Sequence, residues 1–382
     1  MRFKLSFPVN YDCRYYLGDK PCRFKRVCNK CPEYSPIGFR ILIIKLGAAG
    51  DVIRTTAILP SLKSTYPVSH ITWVTDSVIY PLIKNIGLVD RCLSFNNPDT
   101  YWTLINEDFD MLICLDKEPR ATGLSMQVNA AKKMGFGLDK KGSLIILNPE
   151  MDYALQLGLD DSLKFKINTK TYQEIIFEGL CLPYNRQEYC LDFSEYCQEK
   201  SQYWGEKFNI QDKLVIGLNT GSGARFLTKR WPAEYYMALI ELIHKHMGDA
   251  VKILLLGGAE EQANNQAIYD NASERGLPVV YTGCEHSITD FYSIMNLCDL
   301  VVTSDTLAMH LAIALKKKVI ALIGSTSASE IDLYDRGIKL VVDSEEFPCS
   351  PCYRGTCNQP IFCMTKITPP IVHNMIMKLI GK

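Results

Sequence analysis

Short apolar runs, each closed by a turn and followed by a helical pattern, recur along most of the chain. The clearest is residues 41–62. The run Ile41-Leu-Ile-Ile-Lys-Leu46 leads into Gly47-Ala-Ala-Gly50-Asp51, and then into Val52-Ile-Arg-Thr-Thr-Ala-Ile-Leu-Pro-Ser-Leu62. An unbroken apolar run suits a strand covered on both faces, so this stretch reads as a parallel strand, a tight loop and a helix. The same reading predicts strands at 71–75, 91–95, 111–115 and 144–147. Helices are predicted at 52–64, 78–86, 100–106 and 125–134, with Pro60 kinking or shortening the first. The alternation stops over 150–212, where two helices (170–179 and 194–207) flank Leu182-Pro183-Tyr184. A second series then predicts strands at 214–218, 252–256, 279–282, 300–303, 319–323 and 339–342. Its helices are expected at 232–246, 260–273, 288–297, 307–315 and 327–334, and a last apolar helix at 369–380.

Strands alternating with helices imply parallel βαβ units, here in two similar α/β halves facing across a cleft. The expected division is an irregular extension at 1–37, domains at 38–183 and 184–347, and a terminal segment at 348–382. Ligands belong at the carboxyl ends of both sheets.

Composition narrows the class. The chain has 382 residues, 47% hydrophobic and 22% charged, with 42 Lys+Arg against 42 Asp+Glu. Zero net charge disfavours a general nucleic-acid or membrane-surface partner. No apolar run approaches the ~18 residues of a membrane span, and the N-terminus lacks the apolar core of a signal peptide. Cytoplasm is the expected location.

Fifteen cysteines change the picture more. Cys13, Cys22, Cys28 and Cys31 precede the first strand, and Cys349, Cys352, Cys357 and Cys363 follow the last. Each quartet holds a Cys-x-x-Cys pair and two further thiols, a spacing suited to structural zinc, iron or an iron–sulfur cluster. The other seven sit mostly in apolar segments and read as small core residues.

Three loops can carry chemistry. Asp51 falls where the first helix begins, and serves either as its cap or as a carboxylate presented at the end of the first strand. Asn219-Thr220-Gly221-Ser222-Gly223, followed by Lys229-Arg230-Trp231-Pro232, reads as a phosphate cradle of small residues backed by charge, or as a solvated surface loop. It is neither a P-loop nor a dinucleotide fingerprint. Thr303-Ser304-Asp305-Thr306 closes a strand and opens a helix bearing His310, which again puts a carboxylate and free N–H groups at the cleft.

These pieces, in this order, resemble glycosyltransferase family 9, the family of the ADP-heptose:lipopolysaccharide heptosyltransferases. The resemblance spans roughly residues 40–345 and rests on Lys45-Leu-Gly-Ala-Ala-Gly-Asp51, Thr220-Gly-Ser-Gly223 with Lys229-Arg-Trp-Pro232, and Ser304-Asp-Thr-Leu-Ala-Met-His310. It implies a GT-B fold and an inverting transfer that needs no metal. The acceptor would lie on the first domain and an ADP-sugar on the second. Asp51 would be the general base and Lys229 would neutralise the leaving diphosphate. Thr220, Gly221, Ser222, Gly223, Asp305, Thr306 and His310 would hold the donor, with Glu260 or Glu261 at the ribose. Arg120 would face an anionic glycan or glycolipid acceptor, unless it is a solvated surface arginine. The C-terminal quartet resembles one that many relatives carry. A lipopolysaccharide acceptor would bring the protein to the inner face of the membrane as a peripheral enzyme. Leu307 departs from the glycine that many relatives have there, which narrows the loop near the sugar.

Three other readings compete. The acceptor is a protein, as in autotransporter glycosylation; or the chain is a metal- or redox-responsive binding protein on a GT-B scaffold; or it is a nicotinamide-dependent oxidoreductase. Intact Asp51 and Lys229 argue against the second, and the missing dinucleotide fingerprint against the third.

Overall fold

The computed structural model describes residues 7–381. Two six-stranded sheets form its frame. The first comprises β1 (Phe39–Ile44), β2 (Ser69–Thr75), β3 (Arg91–Ser94), β4 (Asp108–Cys114), β5 (Asn129–Leu138) and β6 (Leu144–Ile146), in the order β3-β2-β1-β4-β5-β6. All its pairings are parallel except β5 with β6. The second comprises β7 (Leu214–Asn219), β8 (Val251–Leu256), β9 (Val279–Tyr281), β10 (Leu300–Ser304), β11 (Lys318–Ile323) and β12 (Gly337–Val341). Its order, β12-β11-β10-β7-β8-β9, is wholly parallel.

Both sheets are wound alike: out from the first strand to one edge, then back across it to the other. Each therefore has a switch point beside its first strand, β1/β4 in one half and β7/β10 in the other, where loops diverge and leave a crevice. The apolar runs explain the central strands. Ile41, Leu42, Ile43 and Ile44 are fully buried, as are Leu254, Leu255 and Leu256.

Three elements differ from expectation. The 52–64 helix is two helices, Ala49–Thr55 and Ile58–Thr65, and Pro60 lies in the first turn of the second, where its missing N–H removes no hydrogen bond. The helix expected at 125–134 ends earlier, as Pro119–Gln127, and 129–138 is β5. There the chain must close on β4: a Cβ on Gly135 (φ +95°) would lie 1.9 Å from the Cys114 carbonyl. Residues 327–334 form turns, not a helix. The Pro369–Ile380 helix stays on the second half, against the Ala233–Met247 helix, with Lys318 Nζ donating to the Leu379 carbonyl at 2.8 Å.

The halves meet where helix Ala49–Thr55 abuts helix Leu307–Ala314. Residues 7–37 have little regular structure, one bridge joining Cys13 and Pro36. They are tied near the amino ends of β2 and β3 by Arg14, 3.3 Å from Asp90. No helix among the described residues is long and apolar enough to cross a membrane.

Candidate active site

The first half's switch point is held by a buried ion pair. Lys45 follows β1 and Asp116 follows β4, so adjacent parallel strands deliver both charges to one spot, each about 95% buried. Asp116 accepts from Lys45 Nζ and from the backbone N–H of Leu46, and Lys45 also donates to the Gly47 carbonyl at 2.8 Å. The pair thus fixes the loop that presents Asp51. Burial opposes the charge on Lys45, but Tyr172, Asp116 and Asp51 outweigh it and raise its pKa.

Asp51 itself is not the helix cap. The cap is Ala48, which makes no side-chain bond, and Asp51 stands in the first turn. Its carboxylate bonds Arg54, one turn on, at 2.8 Å, and its side chain keeps 37% of its surface exposed at the cleft. Burial pushes the carboxyl up, yet Arg54, Lys45 and His310 outweigh that and hold it below the ordinary carboxylate range. Arg54 lies over the Tyr172 ring at 3.7 Å and reaches Glu330 of the second half at 4.0 Å.

Across the cleft, the loop after β7 and the β10 turn converge. Lys229 donates to the Asp305 backbone carbonyl at 3.0 Å and to its carboxylate at 3.2 Å. Lys229, Arg54 and His310 keep that carboxyl low despite its burial. His310, 5% exposed, has Nε2 3.7 Å from Asp305 and Nδ1 3.4 Å from the Tyr189 hydroxyl. Burial, helped by the Arg54 charge, lowers it to about 4, so the ring is neutral near pH 7. Thr306 caps the helix start without a side-chain bond, and Asn219 Nδ2 ties its hydroxyl (3.3 Å) to the Gly221 carbonyl (3.0 Å).

Within the cradle, Thr220 turns its hydroxyl away, onto Asn265 and the Leu256 carbonyl, and Ser222 donates to the Phe226 carbonyl at 2.7 Å. These bonds shape the loop, and the Thr220 backbone N–H also donates to the Leu256 carbonyl at 3.2 Å. Gly221 is required by contact, since a Cβ there would lie 2.1 Å from Glu261 Cδ. Glu261 is buried, accepts from Gly258 N–H at 3.0 Å and sits 3.5 Å from Arg230. Glu260 is exposed.

Arg120 lies at the carboxyl end of the first sheet, its guanidinium engaged by Asp76 (3.1 Å), which follows β2, and by Glu118 (2.9 Å), which follows β4. The Asp76 N–H donates to the Leu46 carbonyl at 3.3 Å, in the loop that leads to Asp51. The metal expectation finds no support in the structure. Among the described residues, no three or more His, Cys, Asp or Glu side chains are grouped to hold an ion. Cys13, Cys22, Cys28 and Cys31 all line one cavity of about 450 Å³. Cys363 is buried, Cys349 and Cys357 are exposed, and the four differ in depth. Burial and its three neighbours raise the Cys363 thiol to about 11. The quartets lie on different halves: Cys13 beside the first sheet, Cys363 against Gly324 after β11.

Sequence reasoning missed Lys45, Asp116, Arg54, Tyr172 and Asn219. A charged residue directly after an apolar strand, twice over, was the available signal for Lys45 and Asp116. The i, i+3 spacing of Asp51 and Arg54 was another.

The family model described as glycosyltransferase family 9 (heptosyltransferase) matches residues 101–361, beginning after Asp51. Lipooligosaccharide heptosyltransferase 2 of Campylobacter jejuni is 29% identical over 170 residues, 44% of this chain and 52% of that protein. The chain thus spans about half the length of this curated relative. Among solved structures, a family 9 glycosyl transferase from Veillonella parvula has a TM-score of 0.73 at 19% identity, covering 90% of this chain and 97% of that one. E. coli ADP-heptose LPS heptosyltransferase II has a TM-score of 0.67 at 17% identity, covering 90% and 99%. These two likenesses establish the shared fold.

Proposed function

The chain belongs to glycosyltransferase family 9, and on that premise we propose that it moves a heptose from ADP-heptose to a lipopolysaccharide-core acceptor, with inversion at the anomeric carbon. The observation that carries this reading is the juxtaposition at the cleft: Asp51 with Arg54 on one wall, Lys229, Asp305 and His310 on the other. An ionised base facing a cation behind a small-residue loop is what displacement of a diphosphate needs.

In this mechanism the acceptor binds the first half and the nucleotide-sugar the second. The Asp51 carboxylate takes the proton of the acceptor hydroxyl as its oxygen attacks the anomeric carbon. The bond from that carbon to the β-phosphate oxygen breaks on the opposite face, and ADP leaves with the electron pair. Lys229, with the backbone N–H groups of residues 221–223, meets the charge that grows on the departing oxygens; the Thr220 N–H is held by the Leu256 carbonyl. Donor binding must then draw Lys229 partly away from Asp305, which frees that carboxylate to accept from sugar hydroxyls. Neutral His310 donates or accepts a hydrogen bond there without adding charge. Arg54 keeps Asp51 ionised and aimed. The acceptor would bring the protein to the cytoplasmic face of the membrane.

A thermal-shift screen of nucleotides tests the donor. A ligand at 100 times its Kd stabilises by about 2.7 kcal/mol, so ADP and ADP-heptose should raise the melting temperature clearly. A preference for UDP or NAD overturns the donor assignment.

A further inference from the structure

Most cations near the cleft have a carboxylate partner: Lys45 with Asp116, Arg54 with Asp51, Lys229 with Asp305, Arg230 with Glu261. Lys117 and Lys164 do not, since neither has a carboxylate within 4.0 Å among the described residues. Both line a cavity of about 170 Å³ on the first half's side of the cleft, walled by Arg54, Phe136, Tyr172 and Glu330. Lys117 is exposed, and its ammonium donates to the Ala154 carbonyl at 2.7 Å and lies 4.8 Å from the centre of the Phe136 ring. Lys164 enters from the far side, over the Tyr353 ring at 4.3 Å. Burial and the Lys164 charge lower the Lys117 pKa, with Glu330 partly offsetting them. The Arg54 Nε is buried here without a hydrogen-bond partner, while the same guanidinium holds Asp51.

We infer that this cavity is a subsite for an anionic group on a sugar, either a phosphate ester or a carboxylate. Two cations held toward one another repel, Glu330 offsets that only in part, and an exogenous anion between them relieves the rest and gains charge-assisted hydrogen bonds. The apolar walls lower the local dielectric and strengthen the attraction. Glu330 limits the charge the site favours, since it faces the same space. Arg54 bridges the cavity to Asp51, so an anion seated here would bring a hydroxyl of the same molecule up to the base. This assignment rests on the proposed transfer only in identifying the anion's bearer as the acceptor.

The test uses the full chain with its lysines reductively ¹³C-methylated, Lys117 and Lys164 signals being assigned from Lys117→Arg and Lys164→Arg. Inorganic phosphate and D-glucuronate are titrated separately, with Lys316, an exposed lysine far from the cavity, as reference. The expected result is a saturable shift of both signals with one of the two anions, and a loss of affinity of about tenfold or more when both lysines become Met. Saturation with phosphate alone assigns a phosphate ester, and with glucuronate alone a sugar carboxylate. If neither anion shifts these signals beyond Lys316, or if the double Met variant binds as well as the native protein, the assignment falls. The readout needs no turnover. An active Asp51→Asn enzyme would sink the base and leave the subsite standing.

Discussion

Gly50, in the first half, lies directly against the His310 ring of the second, and a Cβ added to it would stand 2.5 Å from His310 Cδ2. This contact closes the cleft next to Asp51. No real Cβ sits so near ring carbon, and Gly50 and His310 are both buried, so a side chain at 50 must displace the His310 ring or the helix that carries it. Gly50→Ala should lower kcat by about 10²-fold, the scale expected for an ångström of misplacement. ADP binding, proposed for the second half, should be retained. Steady-state kinetics beside nucleotide titration checks this, and an unimpaired kcat would show that the contact is not closed in the reacting enzyme.

Lys45 and Asp116 make a buried pair whose breakage leaves one charge unpaired. Lys45→Met should destabilise the protein by about 3–5 kcal/mol in chemical denaturation. Replacing Asp116 by Leu in the same chain should recover part of that loss, because two apolar groups then face each other. A cost below about 1 kcal/mol for the single change would contradict the pairing.

Much of this frame was readable beforehand. The runs that became β1, β7, β8 and β10 are mostly apolar and buried, a pattern that suits a strand covered on both faces. β5 was misread because Ala130-Ala-Lys-Lys-Met134 favours a helix by composition. Pairing with β4 outweighs that preference, and only residues 134–137 of the strand are buried. Residues 327–334 were misread for a related reason: their polar groups are used by single contacts, such as Ser327 N–H to the Tyr353 hydroxyl, and not by a helical ladder. The loops bearing Asp51, Lys229 and Asp305 were legible as chain-local patterns. The pair Lys45–Asp116 spans 71 residues and the contact Gly50–His310 still more, so their closeness exists only once both sheets are wound. The thiol quartets were legible as a spacing, and the fold keeps each together: Cys13, Cys22, Cys28 and Cys31 line one cavity, and Cys349, Cys352 and Cys357 neighbour Cys363.

Arg54 sets the protonation of Asp51. Asp51 is held below the ordinary carboxylate pKa by Arg54, Lys45 and His310 against the effect of burial, with Tyr172, Asp305, Lys229 and Glu330 also facing the cluster. The base is therefore ionised at all pH values above that range, and the acid limb of kcat/KM should lie below about pH 4. Arg54→Met removes the nearest cation, raises the Asp51 pKa and should move the limb up by about one unit or more. An unmoved limb would show that another group sets it.

His310 makes stability depend on pH in the opposite range. Its folded pKa is about 4 against 6.5 for a free imidazole. The unfolded chain therefore binds the extra proton between these values, and stability is full above pH 6.5 and falls as pH drops toward 4. The loss is roughly 3 kcal/mol over that window. His70 and His373 are also lowered and act in the same direction, so the test is a difference. Denaturation of His310→Gln should show a flatter decline than the native protein between pH 6.5 and 4.5. Parallel curves would mean that His310 is already protonated when folded.

The central claim is that Asp51 takes the acceptor's proton. The most direct measurement is transfer from ADP-heptose by Asp51→Asn, read beside ADP binding to the same preparation. The amide keeps the size of the side chain and cannot accept the proton, so turnover should fall by at least about 10³-fold, within the range for a lost general base, while ADP binds as before. Near-native turnover by Asp51→Asn would contradict the account.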